Sequence, residues 1–157
     1  MDFQKVFLRI KCEIKKIIYK IFFKNIFLGK NISFRNSFFI RCNNGKIVIK
    51  DKCFFNNNCS INSLGYIEIG ENCIFGENVK LYDHNHKYTK FGVSKNEYNI
   101  GKIIIGNNVW IGSNVTILKD VNIGEDVIIG ANCFIREDIP KGSIVYNDSH
   151  IKIKNLL

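Results

Sequence analysis

The chain holds three histidines, His84, His86 and His150, and two of them stand together in Asp83-His84-Asn85-His86. A neutral imidazole accepts a proton near pH 7, so this pair offers general-base chemistry. The same pair could begin a zinc site, but the third histidine lies far along the chain. The single tryptophan is Trp110, and Ser113 follows Gly112, where a missing side chain lets backbone approach a ligand closely. No G-x-S-x-G elbow is present, which argues against a covalent serine route. The six cysteines include no C-x-x-C pair. Cys53, Cys59, Cys73 and Cys133 each follow an apolar residue (Ile49, Phe55, Ile69, Ile129) by four positions, as Cys42 follows Phe38. That slot wants a small inward side chain. The thiols therefore read as reduced core residues of a cytoplasmic protein, not as a disulfide framework.

Something must position the histidines, and the surrounding pattern says what. Ile105, Ile111, Ile117, Ile123, Ile129 and Ile135 recur at every sixth residue, usually followed by glycine. The residue four places on is small or apolar (Val109, Val115, Val121, Val127, Cys133, Ile139). Neither a helix nor a single strand has this period. It describes short strands separated by corners, three to a coil, whose inner side is buried only by stacking. An imperfect form of the beat begins at Ile32 and resumes at Ile69, Phe75 and Leu81. It stops over about 82–104, so a loop is expected to leave the coil there and carry His84 and His86. Asn and Gly crowd the expected corners.

Ahead of the repeats, residues 2–28 read as an amphipathic helix. Phe3, Phe7, Ile10, Ile14, Ile17, Ile18, Ile21 and Phe22 recur at helical spacing, with Asp2 as a start signal and Gly29 as a stop. Residues 1–30 carry eight Lys and Arg against Asp2 and Glu13, two thirds of the net charge of +9. Two placements stay open: the apolar face packs on the open end of the coil, or it lies on an anionic membrane surface. The division expected is a helical segment, 1–30, and a repeat domain, 31–157. No secretory signal or membrane span is legible. Nucleic acid is not an expected partner, because the basic residues concentrate on an apolar-faced helix.

The segment GNNVWIGSNVTILKDVNIGEDVIIGANCFIREDIP, with the DHNHKY loop before it, resembles the hexapeptide-repeat acyltransferases. Within them it is most like the maltose, galactoside and polysaccharide O-acetyltransferases. The resemblance covers roughly residues 32–145. It implies a left-handed parallel β-helix, a homotrimer with active sites between subunits, acetyl-CoA as cosubstrate and no metal. Residue by residue, it implies His86 as the general base and Trp110 as a ring against the reacting centre. The Ser113 N–H becomes the oxyanion donor and Ala131 the small residue beside the pantetheine. Asn56 falls where a relative touches sugar, and Asp83, His84 and Tyr88 are further acceptor contacts from the loop. Arg136, Lys152 and Lys154, with Lys141, are candidates for the phosphates of coenzyme A.

The pattern is broken in places. Asn132, Cys133, Arg136 and Glu137 stand where relatives carry Gly, Ser, Thr and Lys, and the tail after Tyr146 departs too. Ser63 and Leu64 stand where sugar-acetylating relatives often carry an acceptor-binding aspartate. The expectation is an O-acetyltransferase for a sugar of a surface polysaccharide or glycolipid, cytoplasmic or peripheral at the inner membrane face. An enzyme for an antibiotic or amino-sugar acceptor, and a non-catalytic trimeric glycan-binding scaffold, are the alternatives. A zinc enzyme of the same fold fits less well.

Overall fold

A computed structural model describes residues 3–148, with the side chains of Gln4, Lys5 and Leu8 excepted. His150, Lys152 and Lys154 lie outside the described residues, as does Asp2. One helix, α1 (Phe3–Phe22), precedes a parallel β-solenoid with three flat faces. The first face stacks Ile26–Leu28, Lys46–Ile49, Tyr66–Ile69, Lys102–Ile105 and Val121–Ile123. The second stacks six strands from Ser33–Phe34 to Ile144–Val145, with Ile74–Phe75, Trp110–Ile111 and Ile128–Ile129 among them. The third stacks Phe39–Cys42, Ser60–Ser63, Lys80–Tyr82, Thr116–Ile117 and Phe134–Ile135.

The six-residue beat is the inward column of each face. Ile49, Ile69, Ile105 and Ile123 stack in register on the first, and Phe55, Phe75, Ile111 and Ile129 on the second, all buried. Near the N-terminal end the core widens into a pile of rings, Phe34 on Phe38 on Phe55 on Phe75, with centroids 4.6, 4.8 and 4.3 Å apart. Corners need a left-handed residue. Twelve non-glycine residues take φ between 55° and 62°, eight of them Asn and two Asp, whose short side chains tolerate that conformation. Those side chains also ladder between coils: Asn72 donates to Asn108 (3.0 Å), and Asn108 to Asp126 (3.0 Å). Glycine is needed for close approach at Gly112, where a Cβ would lie 2.6 Å from the Ala131 nitrogen of the next coil.

All six cysteines are free, and all but the half-buried Cys42 are buried. Cys53, Cys59 and Cys73 donate their S–H to the carbonyls of Gly70, Gly76 and Gly106 at 3.1–3.2 Å. Cys73 also stacks on Cys53, and that contact together with burial pushes its thiol far up.

Three expectations change. The helix ends at Phe22, not at residue 28. Ile26–Leu28 already pairs with Lys46–Ile49, and Gly29 donates to Ile49 O (2.8 Å) at a coil corner instead of capping the helix. The break in the beat is narrower and more ordered than a loop. It is an antiparallel hairpin, His84–Thr89 on Gly92–Ile100, and the coil resumes at Lys102. The helix does pack on the end of the coil, but with the wrong face for the pattern that predicted it. Cys12 and Tyr19 are buried there, while Phe7, Ile10, Ile14, Ile17, Ile18 and Ile21 are exposed. The docking edge is polar work. Lys16 Nζ donates to Ile32 O (3.1 Å), Lys15 Nζ to Phe38 O, and Ile40 N–H donates to the Tyr19 hydroxyl (3.2 Å). These bonds satisfy the backbone edge of the first coil, which no further coil covers.

Candidate active site

The hairpin leaves the corner between the third and first faces, and Asp83 is the post on which it turns. Asp83 has no exposed surface. Its carboxylate accepts from Ser63 Oγ (2.5 Å), Leu64 N–H (2.9 Å) and Gly65 N–H (2.9 Å), and its own carbonyl accepts from Gly101 N–H (2.7 Å). Its remaining partner is His84 Nδ1 at 2.9 Å. The acceptor-contact role expected for Asp83 is therefore excluded: a buried carboxylate with four internal donors has nothing left for a sugar hydroxyl. Ser63, itself buried, is part of this post.

His86 lies two residues further out, on the hairpin. Its Nδ1 is 3.0 Å from the Ser94 carbonyl, which can only accept, so Nδ1 carries the proton and Nε2 keeps a free lone pair. Its ring packs on Tyr98, its cross-strand partner, at 4.6 Å. Tyr98 also meets His84 edge-on at 5.5 Å. His84 carries the same tautomer logic, with Nδ1 toward a carboxylate, but it is half-buried at the root. Tyr88 stands near the tip, past a bulge, in a shallow concavity of about 480 Å³ shared with Phe91, Ser94 and Glu97. His86 does not line that concavity.

Trp110 and Ser113 are on other parts of the coil. Trp110 points outward from the second face, half exposed, in an apolar column with Phe54, Ile74, Ile128 and Ile144. Ser113 sits at the following corner, between the second and third faces. There Gly112 N–H donates to Ile129 O (2.7 Å) and Asn114 N–H to Glu77 O (2.8 Å). The Ser113 N–H between them takes no part in these bonds, and Ser113 Oγ accepts from Glu77 N–H (3.1 Å). Ala131 is one coil on at the same corner, exposed, and Asn132 N–H donates to Ser113 O (2.9 Å). Asn56 lies on this column two coils the other way, ~10 Å off at about 4.8 Å per coil. Its Oδ1 accepts from Asn57 N–H (2.9 Å) and, at 3.4 Å, from Arg35. Arg136 is exposed beside Glu137.

The geometry thus makes two groups. Trp110, Ser113, Ala131 and Asn56 share one side of the prism. His84, His86 and Tyr88 stand at a different corner, separated from Ser113 by the width of the third face, roughly 15 Å for a strand and its turns. Sequence reasoning missed two partners of the histidines, Tyr98 and the Ser94 carbonyl. The sequence signals neither: the hairpin over His84–Ile100 has no alternation of apolar and polar residues to pair Tyr98 with His86, and a backbone carbonyl leaves no mark.

Comparison with known proteins agrees with the repeat and the coil. The model of the family described as bacterial transferase hexapeptide (six repeats) matches residues 102–137. Over 110 residues the chain is 31% identical to "Putative lipopolysaccharide biosynthesis O-acetyl transferase WbbJ" of Escherichia coli (strain K12), covering 64% of this chain and 56% of that protein. The chain spans about half the length of the curated relatives it matches (42% and 56%). Among solved structures, the hexapeptide-repeat containing acetyltransferase VCA0836 of Vibrio cholerae superimposes with a TM-score of 0.73 at 26% identity, over 90% of this chain and 82% of that one. That protein has also been solved with acetyl coenzyme A. A galactoside acetyltransferase in complex with coenzyme A superimposes with a TM-score of 0.65 at 28% identity, over 83% of this chain and 63% of that one. With its six-residue beat, three-faced coil and these matches, the chain carries the bacterial transferase hexapeptide repeat and is similar in sequence and fold to the hexapeptide-repeat acetyltransferases.

Proposed function

We propose that the protein transfers an acetyl group from acetyl-CoA to a hydroxyl of a sugar in a surface polysaccharide or glycolipid. The observation that carries this reading is the state of His86. Ser94 holds its proton on Nδ1, so Nε2 is a base already aimed and in the correct tautomer. In the reaction Nε2 takes the acceptor hydroxyl proton as that oxygen attacks the thioester carbonyl. The Ser113 N–H receives the negative charge developing on the carbonyl oxygen. The C–S bond then breaks, the imidazolium returns its proton to the leaving thiolate, and the products are an acetyl ester and coenzyme A. No covalent enzyme intermediate is formed, and no metal takes part.

Trp110 supports the thioester end, Ala131 leaves room for the pantetheine arm, and Arg136, Lys152 and Lys154 meet the phosphates. Asn56, His84 and Tyr88 contact the acceptor. Because His86 and Ser113 stand at different corners of one chain, a complete site needs the hairpin of one copy beside the Trp110 face of the next. The exposed apolar column around Trp110 suits such a seam, and a three-sided prism suits a threefold axis, so the working unit is a homotrimer. WbbJ, by its name, belongs to lipopolysaccharide biosynthesis, which favours a glycan acceptor. Use of acetyl-CoA favours a reaction in the cytoplasm, at the inner face of the membrane for a lipid-linked acceptor.

His86→Ala tests the assignment. Free-thiol release from acetyl-CoA in the presence of sugar acceptors should fall by about 10²–10⁴-fold, while calorimetric binding of acetyl-CoA is unchanged. Retained turnover would remove His86 from the mechanism. Absence of acetyl-CoA binding by the unmodified protein would leave the glycan-binding scaffold.

A further inference from the structure

The solenoid end uses one edge of α1 and leaves the opposite side uncovered. At 100° per residue, Cys12 and Tyr19 lie together on the docked edge, with Lys15 and Lys16 beside them. Phe7, Ile10, Ile14, Ile18 and Ile21 centre on the far side of the helix, and all are exposed. An apolar stripe of about four turns, turned away from the core of the described residues, needs another partner.

The charges say which. The helix carries six Lys and Arg against the single Glu13, and Glu13 is held by Lys16 at 2.6 Å. Lys11 borders the stripe on one side, its ammonium 4.3 Å from the Phe7 ring centroid, so its stem follows the apolar surface. Arg9 and Lys20 lie between the docked edge and the stripe on the other side. They open onto a cleft of about 1070 Å³ between α1 and the first coil, which Lys30, Arg35 and the stripe residue Ile17 also line. Apolar and cationic groups thus share one rim. The helix is not long and apolar enough to cross a membrane. A second copy seated on the stripe in a closed symmetric pair would bring the same cations face to face. A bilayer with anionic headgroups would meet both the apolar stripe and its basic rim.

We infer that α1 is an in-plane anchor that seats the protein on an anionic bilayer, with Ile10, Ile14, Ile18 and Ile21 in the acyl boundary. Arg9, Lys11 and Lys20 then reach lipid phosphates. The inference stands on α1 and is independent of the acetyl-transfer reading. A bound anchor would hold the coil at the surface and give its hairpin access to acceptors carried on lipid.

Vesicle co-sedimentation of the full chain tests it, using phosphatidylcholine alone and phosphatidylcholine mixed with phosphatidylglycerol. Binding should require the anionic lipid and weaken as salt is raised. Ile10→Asp with Ile14→Asp, both at exposed positions, should lower the partition coefficient by at least about tenfold. The variant should keep its far-ultraviolet dichroism and sedimentation coefficient. Arg9→Glu with Lys20→Glu should remove the preference for anionic over neutral vesicles. Failure to sediment with anionic vesicles would overturn the anchor. A smaller assembly for Ile10→Asp/Ile14→Asp in the absence of lipid would also overturn it, and would assign the stripe to a contact between copies.

Discussion

Asp83 is the residue on which the hairpin depends, and its substitutions form a graded test. In Asp83→Ala the Ser63 hydroxyl, the Leu64 and Gly65 amides and His84 Nδ1 all lose their acceptor at a site with no solvent access. Each unsatisfied donor costs about 1–3 kcal/mol, but a cavity of this size relaxes or admits water, so about 3–5 kcal/mol is the expected loss. Asp83→Asn keeps the shape and is the sharper test. One side of the carboxylate faces Ser63 Oγ and Gly65 N–H, the other Leu64 N–H and His84. Ser63 and His84 can each turn round and accept, but a backbone N–H cannot. Whichever way the Asn amide points, its NH₂ opposes one backbone donor, which costs about 1–3 kcal/mol. Ser63→Ala leaves both amides paired and should cost about 1 kcal/mol. Urea unfolding at fixed chain concentration measures the order Ala, Asn, Ser63→Ala. Hydrogen exchange should show amides of His84–Thr89 and Gly92–Ile100 opening first in Asp83→Asn. If Asp83→Asn were as stable as the parent protein with its hairpin equally protected, the post would carry no weight and another contact would orient His86.

Two further outcomes complete those given with the proposed reaction and the anchor. Tyr66 donates to Glu68 Oε2 (2.5 Å), and Lys50 holds Glu68 from the other side at 2.8 Å; the bond to Glu68, with burial, pushes the tyrosine up to about 12. A folded value above the unfolded one near 10 adds stability that is complete below about pH 10 and lost as pH climbs toward 12, so Tyr66→Phe should flatten that alkaline loss in thermal unfolding. If sites are shared between copies, inactive His86→Ala and Trp110→Ala chains co-expressed should regain activity, to about a quarter of the parent rate for random trimers in which each mixed trimer holds one intact site; mixtures that stay inactive would refute the shared site.

What could be read from the residues follows from how locally each feature is determined. The coil was legible because every turn repeats one local problem, an inward Ile or Phe, a small inward neighbour and a corner that tolerates positive φ. Asn72, Asn108 and Asp126 solve that corner alike on stacked coils. The hairpin was not, because His84–Ile100 is exposed on both sides and its residues carry no alternation of apolar and polar. The helix was legible as amphipathic, yet its apolar side is not the docked one. Docking was decided by distant backbone groups, the carbonyls of Ile32 and Phe38 and the amide of Ile40, which found Lys16, Lys15 and Tyr19.

The same distinction governs the site. His86 is nominated by its type and its place before the Trp110 hexad. What fixes its tautomer is the Ser94 carbonyl, and a carbonyl is common to every residue and so marks none. Asp83 shows the converse. Its side chain has the chemistry of a substrate contact, and only the coil beneath it reveals that its oxygens are already taken by Ser63, Leu64 and Gly65. Residue type therefore nominates a group for chemistry, while the count of free lone pairs left after folding decides it. By that count His86 Nε2 is available, Asp83 is not, and the Ser113 N–H stands outside the corner bonds made by Gly112 and Asn114. An available base and an available oxyanion donor, held at different corners of a rigid prism, make the assembly of copies a chemical requirement of the proposed reaction.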